Sequence, residues 1–216
     1  MFRPDGQAIA SASALDGTVK LWNLAGELQQ TFDYGSAMDQ IAFSPNGQAI
    51  AASTPDGIVK LWNFAGKLQK TFNHGSTVKQ IIFSPDGQAL ISHGADGIVK
   101  LWNLQGKELL TLKHDNTINQ VLFSPDSKLI VSGGSDGIVR LWNLAGEELH
   151  ALDHNEQSIW QLSFRPDAKM LVSVSAQGTA KLWNLDLEDL IQRGCTWVQD
   201  YLATNPTELE ELKICQ

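Results

Sequence analysis

The sequence predicts an all-β protein built from five copies of one small sheet, and three observations support this prediction. The triplet Leu-Trp-Asn recurs five times, at intervals of 40, 40, 40 and 41 residues. A second marker, Phe-Ser-Pro or Phe-Arg-Pro followed by Asp or Asn, keeps the same period. Each interval is dense in strand-forming and turn residues, which at this repeat length is typical of propellers and solenoids. The tryptophans of the triplet are Trp22, Trp62, Trp102, Trp142 and Trp183.

The third copy shows how each repeat is expected to form four strands. The run Thr77–Phe83 is rich in β-forming residues and mostly apolar, which predicts a buried first strand. Ser-Pro-Asp-Gly follows, with proline and glycine at the positions that a type I turn favours. We expect Ala89–Ser92 as a short second strand, Ile98–Asn103 as the third and Glu108–Leu112 as the fourth. Such a sheet cannot bury both apolar faces alone, but copies stacked side by side can.

These features resemble the WD-repeat β-propeller family. The shared features are a histidine before the first strand, an aspartate in the turn before the third strand, and a tryptophan that ends the third strand. The one uniform departure is that Trp-Asp, the pair that names the family, is Trp-Asn in every copy. The resemblance covers residues 2–185 and implies a β-propeller array of five WD-type four-stranded blades over residues 1–185.

The first and last blades are expected to be incomplete. Phe2 corresponds to the last residue of a first strand, so the first blade lacks its innermost strand, and no fourth strand follows Trp183. Exposed strand edges and apolar blade faces invite contact, which leaves self-association through these blades open. The chain resembles the C-terminal part of a large bacterial WD-repeat protein; the alternative is a distorted ring of five blades.

A short α-helical tail is predicted over residues 186–216. Asp186 can cap a helix, and apolar residues from Leu187 to Leu202 fall near helical spacing. Thr207 with Glu210 is a capping-box signature for a final short helix. The segment resembles the terminal segment of large bacterial WD-repeat proteins. We expect it to cover the exposed face of the last blade, and binding a partner is the alternative.

Histidine, serine and aspartate, the residue types of a catalytic triad, also recur with the repeat. A catalytic site is needed only once, however, so residues that return in several blades favour a structural role. In the resembled family such residues form a side-chain hydrogen-bond network within each blade, which would satisfy polar groups in buried loops. The second blade departs from the pattern with Tyr34 and Ala52, and the fifth with Gln177. The two complete networks implied are His74, Ser92, Asp96 and Trp102 in the third blade, and His114, Ser132, Asp136 and Trp142 in the fourth.

Composition and charge exclude several classes of protein. The net charge of −8 provides no basic surface to neutralise phosphates, so nucleic acid is not expected as a partner. No apolar run is long enough to cross a bilayer and the first residues lack a secretory pattern, so we expect no membrane partner and a cytoplasmic location. Cys195 and Cys215 suggest neither a disulfide framework nor a metal site. No phosphate-binding or metal-binding motif is present, so no cofactor is expected.

A non-catalytic module that binds a protein or peptide is the favoured function, as a scaffold or as the recognition part of a larger signalling protein. Two alternatives stay open: a structural or decayed array without a ligand and, least favoured, an enzyme on a propeller scaffold. Positions identical in all blades serve the fold, so recognition is expected where the copies differ. These positions lie at the end that carries the fourth-to-first connections, and the candidates are Tyr34, Asp115, Asn116, Ser135, Glu156, Gln157 and Trp160.

Trp160 is the strongest of these candidates. It occupies a position held by Asp39, Lys79 and Asn119 in the other copies. An aromatic residue in an otherwise polar column near the channel rim is typical of a binding hot spot, where tryptophan is enriched. The alternative is that its ring fills space against the neighbouring blade or the tail helix.

Overall fold

The computed structural model describes residues 1–13, 16–155, 157–186 and 188–192. In this part of the chain, eighteen β-strands form five antiparallel sheets. Each sheet consists of strands that are consecutive in the sequence and joined by short turns. The prediction of an all-β array of five blades, with an incomplete first and last blade, is confirmed.

The strands of each sheet are as follows. The first sheet contains β1 (Ala8–Ser13), β2 (Thr18–Asn23) and β3 (Leu28–Asp33). The second contains β4 (Gln40–Phe43), β5 (Ala49–Ser53), β6 (Ile58–Asn63) and β7 (Leu68–Asn73). The third contains β8 (Val78–Phe83), β9 (Ala89–Gly94), β10 (Ile98–Asn103) and β11 (Glu108–Lys113). The fourth contains β12 (Ile118–Phe123), β13 (Leu129–Gly134), β14 (Ile138–Asn143) and β15 (Glu148–Asp153), and the fifth β16 (Ile159–Phe164), β17 (Met170–Ser175) and β18 (Ala180–Asn184).

The third sheet illustrates why each repeat folds in this way. Its first turn is closed by a hydrogen bond of 2.8 Å from Gly87 N to Ser84 O. Gly87 has a φ of 69°, in the left-handed region that glycine adopts without a steric penalty. The second strand continues two residues beyond the predicted Ala89–Ser92, because His93 and Gly94 keep pairing with the neighbouring strands.

The hydrophobic core lies between the sheets. Four clusters of buried side chains each join two consecutive sheets. Between the third and fourth sheets, Val99 and Leu101 of β10 belong to one cluster with Val121 of β12, and all three are at most 3% exposed. Each sheet therefore depends on its neighbours to cover its apolar faces.

The first and fifth sheets are the two ends of an open arc. Phe2 forms an isolated antiparallel bridge to Ile9, but both Phe2 and Leu182 of β18 remain exposed, by 64% and 63%. Within the described ranges, no hydrophobic cluster joins the fifth sheet to the first. The alternative of a distorted closed ring is not the arrangement that these residues form.

The start of the predicted tail is helical over residues 188–192. Asp186 caps it, since its Oδ1 accepts hydrogen bonds from the backbone N–H groups of Glu188 at 3.2 Å and Asp189 at 3.4 Å. Residues 193–216, with the expectation that they cover the last blade, lie outside the described residues. Across the part of the chain that is described, no helix has the length and apolar character needed to cross a membrane.

Candidate functional site

The third blade brings its four predicted network residues together. His74 Nδ1 is hydrogen-bonded to Ser92 Oγ at 2.8 Å, and Trp102 Nε1 donates to the same oxygen at 2.9 Å. On the other side of the ring, His74 Nε2 lies 3.5 Å from Asp96 Oδ1, which is an electrostatic contact. Burial lowers the pKa of His74, because a charged imidazolium would lose its hydration. The neutral ring thus links the tryptophan to the turn before β10.

The fourth blade repeats only part of this arrangement. His114 Nε2 is bonded to Ser132 Oγ at 3.0 Å, and Trp142 Nε1 donates to Ser132 Oγ at 3.0 Å. Asp136 is bound instead by Arg140, whose Nη1 donates to Asp136 Oδ2 at 2.6 Å. Burial lowers the pKa of His114 to about 4. The structure therefore places Asp136 in an ion pair with an arginine and not in a hydrogen bond with the histidine.

The serine–tryptophan bond is the part of the network that persists elsewhere. Trp22 Nε1 donates to Ser11 Oγ at 2.8 Å in the first blade, and Trp183 Nε1 donates to Ser173 Oγ at 2.8 Å in the fifth. His154 of the fifth blade is buried, and neither of its ring nitrogens has a hydrogen-bond partner in the described structure. Without an aspartate at its turn, the fifth blade thus keeps the bond but not the histidine link.

Tyr34, predicted as a partner-binding residue, is buried in the second blade. Its side chain is only 4% exposed, because it packs edge-on against Trp62 with ring centroids 5.3 Å apart. Its hydroxyl donates to Ile58 O at 2.7 Å, and Lys60 Nζ lies 4.3 Å from the ring centroid. Burial raises the pKa of Tyr34 to about 12. In the second blade an aromatic contact takes the place of the histidine and serine.

Gly94 is a network residue that sequence reasoning missed. A Cβ at this position would collide with the side chains of His74 and Asp96. The second blade has Thr54 at this position and the fifth has Ser175, and neither of those blades contains the His–Asp pair. The signal was available in the sequence, since glycine stands at this position in the blades that contain both the histidine and the aspartate.

The inner strands β4, β8, β12 and β16 lie side by side around the centre of the arc. They line an open cavity of about 900 Å³ whose wall is mainly polar. A column of identical glutamines links neighbouring blades here: Gln80 Oε1 accepts a hydrogen bond from Val121 N at 3.4 Å, and Gln120 Oε1 accepts one from Leu162 N. The column consists of Gln40, Gln80, Gln120 and Gln161. Its identity in four copies was the available signal, and sequence reasoning missed its role.

Trp160 lies at this cavity with its side chain 67% exposed. The other members of its column, Asp39, Lys79 and Asn119, also line the cavity and are exposed. The ring is therefore not buried against a neighbouring blade. Trp160 presents an apolar surface to water within a polar wall.

His93 adds a buried ring to the same cavity wall. It is 1% exposed, and its Nδ1 has no hydrogen-bond partner among the described residues. Burial lowers its pKa to about 4. The equivalent positions in the second, fourth and fifth blades are Ser53, Gly133 and Val174, so the repeat gave no reason to predict a role for it.

The remaining candidates lie at the end of the sheets where the inner strands begin. Asp115 and Asn116 precede β12 and are exposed, as is Ser135, whose N–H donates to Thr117 O at 2.9 Å. Gln157 is half-buried, since its Oε1 accepts a hydrogen bond from Ser175 Oγ at 2.9 Å. Glu156 lies outside the described residues.

Comparison with known proteins gives one result for the whole array. The family model described as WD domain, G-beta repeat matches five segments, at residues 1–23, 26–63, 66–103, 106–143 and 146–184. No curated protein matches the sequence. From the second onward, each matched segment contains the outer strand of one sheet and the three inner strands of the next. The repeat unit is thus offset from the sheet by one strand, which interlocks neighbouring sheets.

Proposed function

The chain belongs to the WD40 family of G-beta repeats, and we propose that it is a non-catalytic module that binds a protein or peptide at the mouth of its central cavity. WD40 repeats generally mediate protein–protein interaction and scaffolding. The observation that supports this site is the exposure of Trp160 at the cavity, in a column that is otherwise polar. Large exposed aromatic side chains are enriched among residues that dominate binding energy.

The chemistry around Trp160 favours a peptide with one apolar anchor and flanking polar groups. Asp39 and Lys79 offer one charge of each sign along the wall. Asn119 is held in place, because its Nδ2 donates to Ile159 O at 2.8 Å. A wall with both charges and few apolar groups suits an extended polar segment that inserts a single hydrophobic side chain.

The exposed rim of the fourth blade would extend the contact surface. Asp115, Asn116 and Ser135 lie at the same end of the sheets as Trp160 and carry no contact that buries them. Gln157 contributes less, since Ser175 already occupies its oxygen. Contact by Glu156 stays a prediction.

The repeated histidine, serine and aspartate residues support a non-catalytic function. In each blade the serine oxygen is used by a tryptophan N–H, where both residues are present. A nucleophile needs an oxygen presented to a substrate. Serines that are bonded within their own blade favour a binding module over an enzyme. The exposed Trp160 favours a binding module over an array without a ligand.

The wider setting of this module is also proposed from the sequence. The net charge of −8 supports a protein partner over nucleic acid. A role as the recognition part of a larger bacterial signalling protein rests on the resemblance of residues 186–216. The cytoplasmic location stays a prediction, which fractionation of cells that express a tagged chain would test.

Selection of peptides on the immobilised chain tests the proposed site. A displayed library of random peptides is panned against the chain, and selected peptides are measured by calorimetry against two variants. Trp160→Ala is expected to weaken binding at least tenfold with an unchanged melting temperature, whereas Leu109→Ala, which removes an exposed leucine of β11, leaves affinity unchanged. Peptides that bind Trp160→Ala as tightly as the unmodified chain would show that the cavity mouth is not the site.

A further inference from the structure

We infer that copies of this chain associate head to tail, with the outward face of the fifth sheet of one copy packed on the inward face of the first sheet of the next. The outward face of a sheet is the one toward the following sheet in the chain, and the inward face is toward the preceding one. This interface is separate from the peptide site proposed above. The four interfaces between consecutive sheets show what each face accepts.

The interface between the fourth and fifth sheets is the nearest template. On the outward face of the fourth sheet, Val131 and Leu141 are paired across β13 and β14. They form one buried cluster with Leu162 and Leu171 from the inward face of the fifth sheet. All four side chains are at most 2% exposed. An outward face of this type is therefore fully covered when an inward face packs on it.

The outward face of the fifth sheet carries the same pattern, and no hydrophobic cluster of the described residues covers it. Val172 and Leu182 are paired across β17 and β18, in the register of Val131 and Leu141. Leu182 is nevertheless 63% exposed. With Met170, these side chains border a groove of about 280 Å³. An enclosed cavity of about 150 Å³ already accepts benzene, so an aromatic side chain fits such a groove.

The inward face of the first sheet carries the complementary half. Phe2 is bridged to Ile9, and Ile9 is paired with Trp22. In the fifth sheet the equivalent three residues are paired in the same way, and they pack against the fourth sheet. Phe2 is 64% exposed here, and Leu24, two residues after Trp22, is also exposed. The counterparts in the fifth sheet are Phe164, Leu171 and Trp183.

One chain thus carries both halves of an interface that it makes four times internally. Among the residues that the structure describes, the two halves do not meet, since Phe2 and Leu182 are both exposed. Contiguous apolar faces of this kind mark interaction sites, and a second copy supplies the matching face. The contact is heterologous, so each added copy leaves one free face of each type. Association therefore produces a series of oligomers and not a single two-fold dimer.

Sedimentation velocity over a hundredfold range of concentration tests this inference on the full chain. The chain is expected to show a weight-average mass that rises with concentration. Leu182→Glu and Phe2→Glu should each remain monomeric, because a carboxylate at either face loses hydration on association. Leu109→Glu, on the outer strand β11, is the matched control and should associate as the unmodified chain does. If one of the face variants loses its cooperative melting transition, Leu182→Ser and Phe2→Ser replace them.

Mixing the two face variants distinguishes head-to-tail contact from other modes. Leu182→Glu keeps an intact inward face and Phe2→Glu an intact outward face, so an equimolar mixture should form a discrete 1:1 dimer that grows no further. A chain that stays monomeric at every concentration would overturn the inference, since its faces are then not shared between copies. A mixture without the dimer, or face variants that associate like the unmodified chain, would overturn it as well.

Discussion

The second and third blades hold the same tryptophan position in two different ways. In the third, Trp102 donates to Ser92, which in turn is bonded to His74. In the second, Trp62 lies under the edge of Tyr34, and alanine stands where the serine would be. Both tryptophans are 4% exposed. A polar network and an aromatic contact therefore achieve the same burial.

This difference indicates what the repeated histidine and serine do. A group needed for chemistry could not be exchanged for a tyrosine and an alanine, but a group needed for packing can. Replacing the histidine and serine in this way has a physical limit. The buried tryptophan N–H loses its acceptor, and the packing of the tyrosine must offset that loss. We therefore expect the stability of differently built blades to respond differently to single mutations, to acid and to double mutations.

The largest effect is expected from removing the aromatic contact in the second blade. Tyr34→Ala should lower the free energy of unfolding by about 3–5 kcal/mol, the usual range for a large buried aromatic side chain. Tyr34→Phe, which removes only the hydroxyl bonded to Ile58 O, should cost about 1 kcal/mol. Urea denaturation of both variants measures the difference. Similar losses in the two variants would show that the hydroxyl, and not the ring, holds this blade.

A smaller effect is expected from the serine of the third blade. Ser92→Ala leaves Trp102 Nε1 and His74 Nδ1 without their shared partner in a buried place, and should cost about 2–3 kcal/mol. The matched control is Ser11→Ala, which removes the same bond to Trp22 at an exposed position of the first blade. That change should cost less than about 1 kcal/mol. Equal losses would mean that burial of the network does not matter.

Acid should weaken the third and fourth blades more than the second. His93 and His114 have folded pKa values of about 4, below the ordinary value of 6.5. Between these values the unfolded chain binds more protons than the folded one, so stability is full above pH 6.5 and falls as the pH drops toward 4. One such histidine contributes at most about 1.4 kcal/mol per pH unit.

The variant His93→Val, which adopts the residue of the fifth blade, should flatten this dependence. Denaturation at several pH values between 4 and 7 gives the slope for both chains. Hydrogen exchange at pH 5 should also show greater loss of protection in β9 and β13 than in β5. An unchanged slope in His93→Val would contradict the assignment of this titration to a buried ring.

The smallest effect is a difference in coupling between two His–Asp pairs. In the third blade His74 and Asp96 face each other, so the double mutant to alanine should be less destabilised than the sum of the single mutants by about 0.5–1 kcal/mol. In the fourth blade Asp136 is bound by Arg140, so His114→Ala and Asp136→Ala should be additive. A similar coupling in both cycles would show that Asp136 reaches the histidine in solution.

Most of the fold was predictable because the repeat encodes it locally. The Leu-Trp-Asn triplet, the Ser-Pro turn and the runs of strand-forming residues each act over a few residues, and they return at intervals of 40 or 41 residues. The boundary of β9 was less predictable, since its extension to Gly94 depends on pairing with strands on both sides. Local chemistry sets the strands, and pairing sets their ends.

The candidate site was only partly predictable. Tyr34 was placed in the histidine column and yet expected to be free for binding; it lies in the connection between β3 and β4, and its burial follows from its contact with Trp62 of β6 in the second sheet. Asp136 was assigned to a network, but an arginine at position 140 reaches it where the third blade has Lys100, which pairs with Glu108 at 3.2 Å. Trp62 is distant from Tyr34 in the sequence, whereas Arg140 is only four residues from Asp136; in both cases a side-chain contact changed the role of the residue.

The sequence by itself determined that this protein is an array of five like sheets and that its repeated polar residues serve each sheet. Turn chemistry and runs of strand-forming residues are properties of short segments, so they are visible in any one copy, and the period appears when the copies are compared. Only the tertiary structure decided which equivalent positions are covered. Leu141 and Leu182 occupy the same place in their sheets, yet one is 2% and the other 63% exposed, because only the first has a following sheet packed upon it.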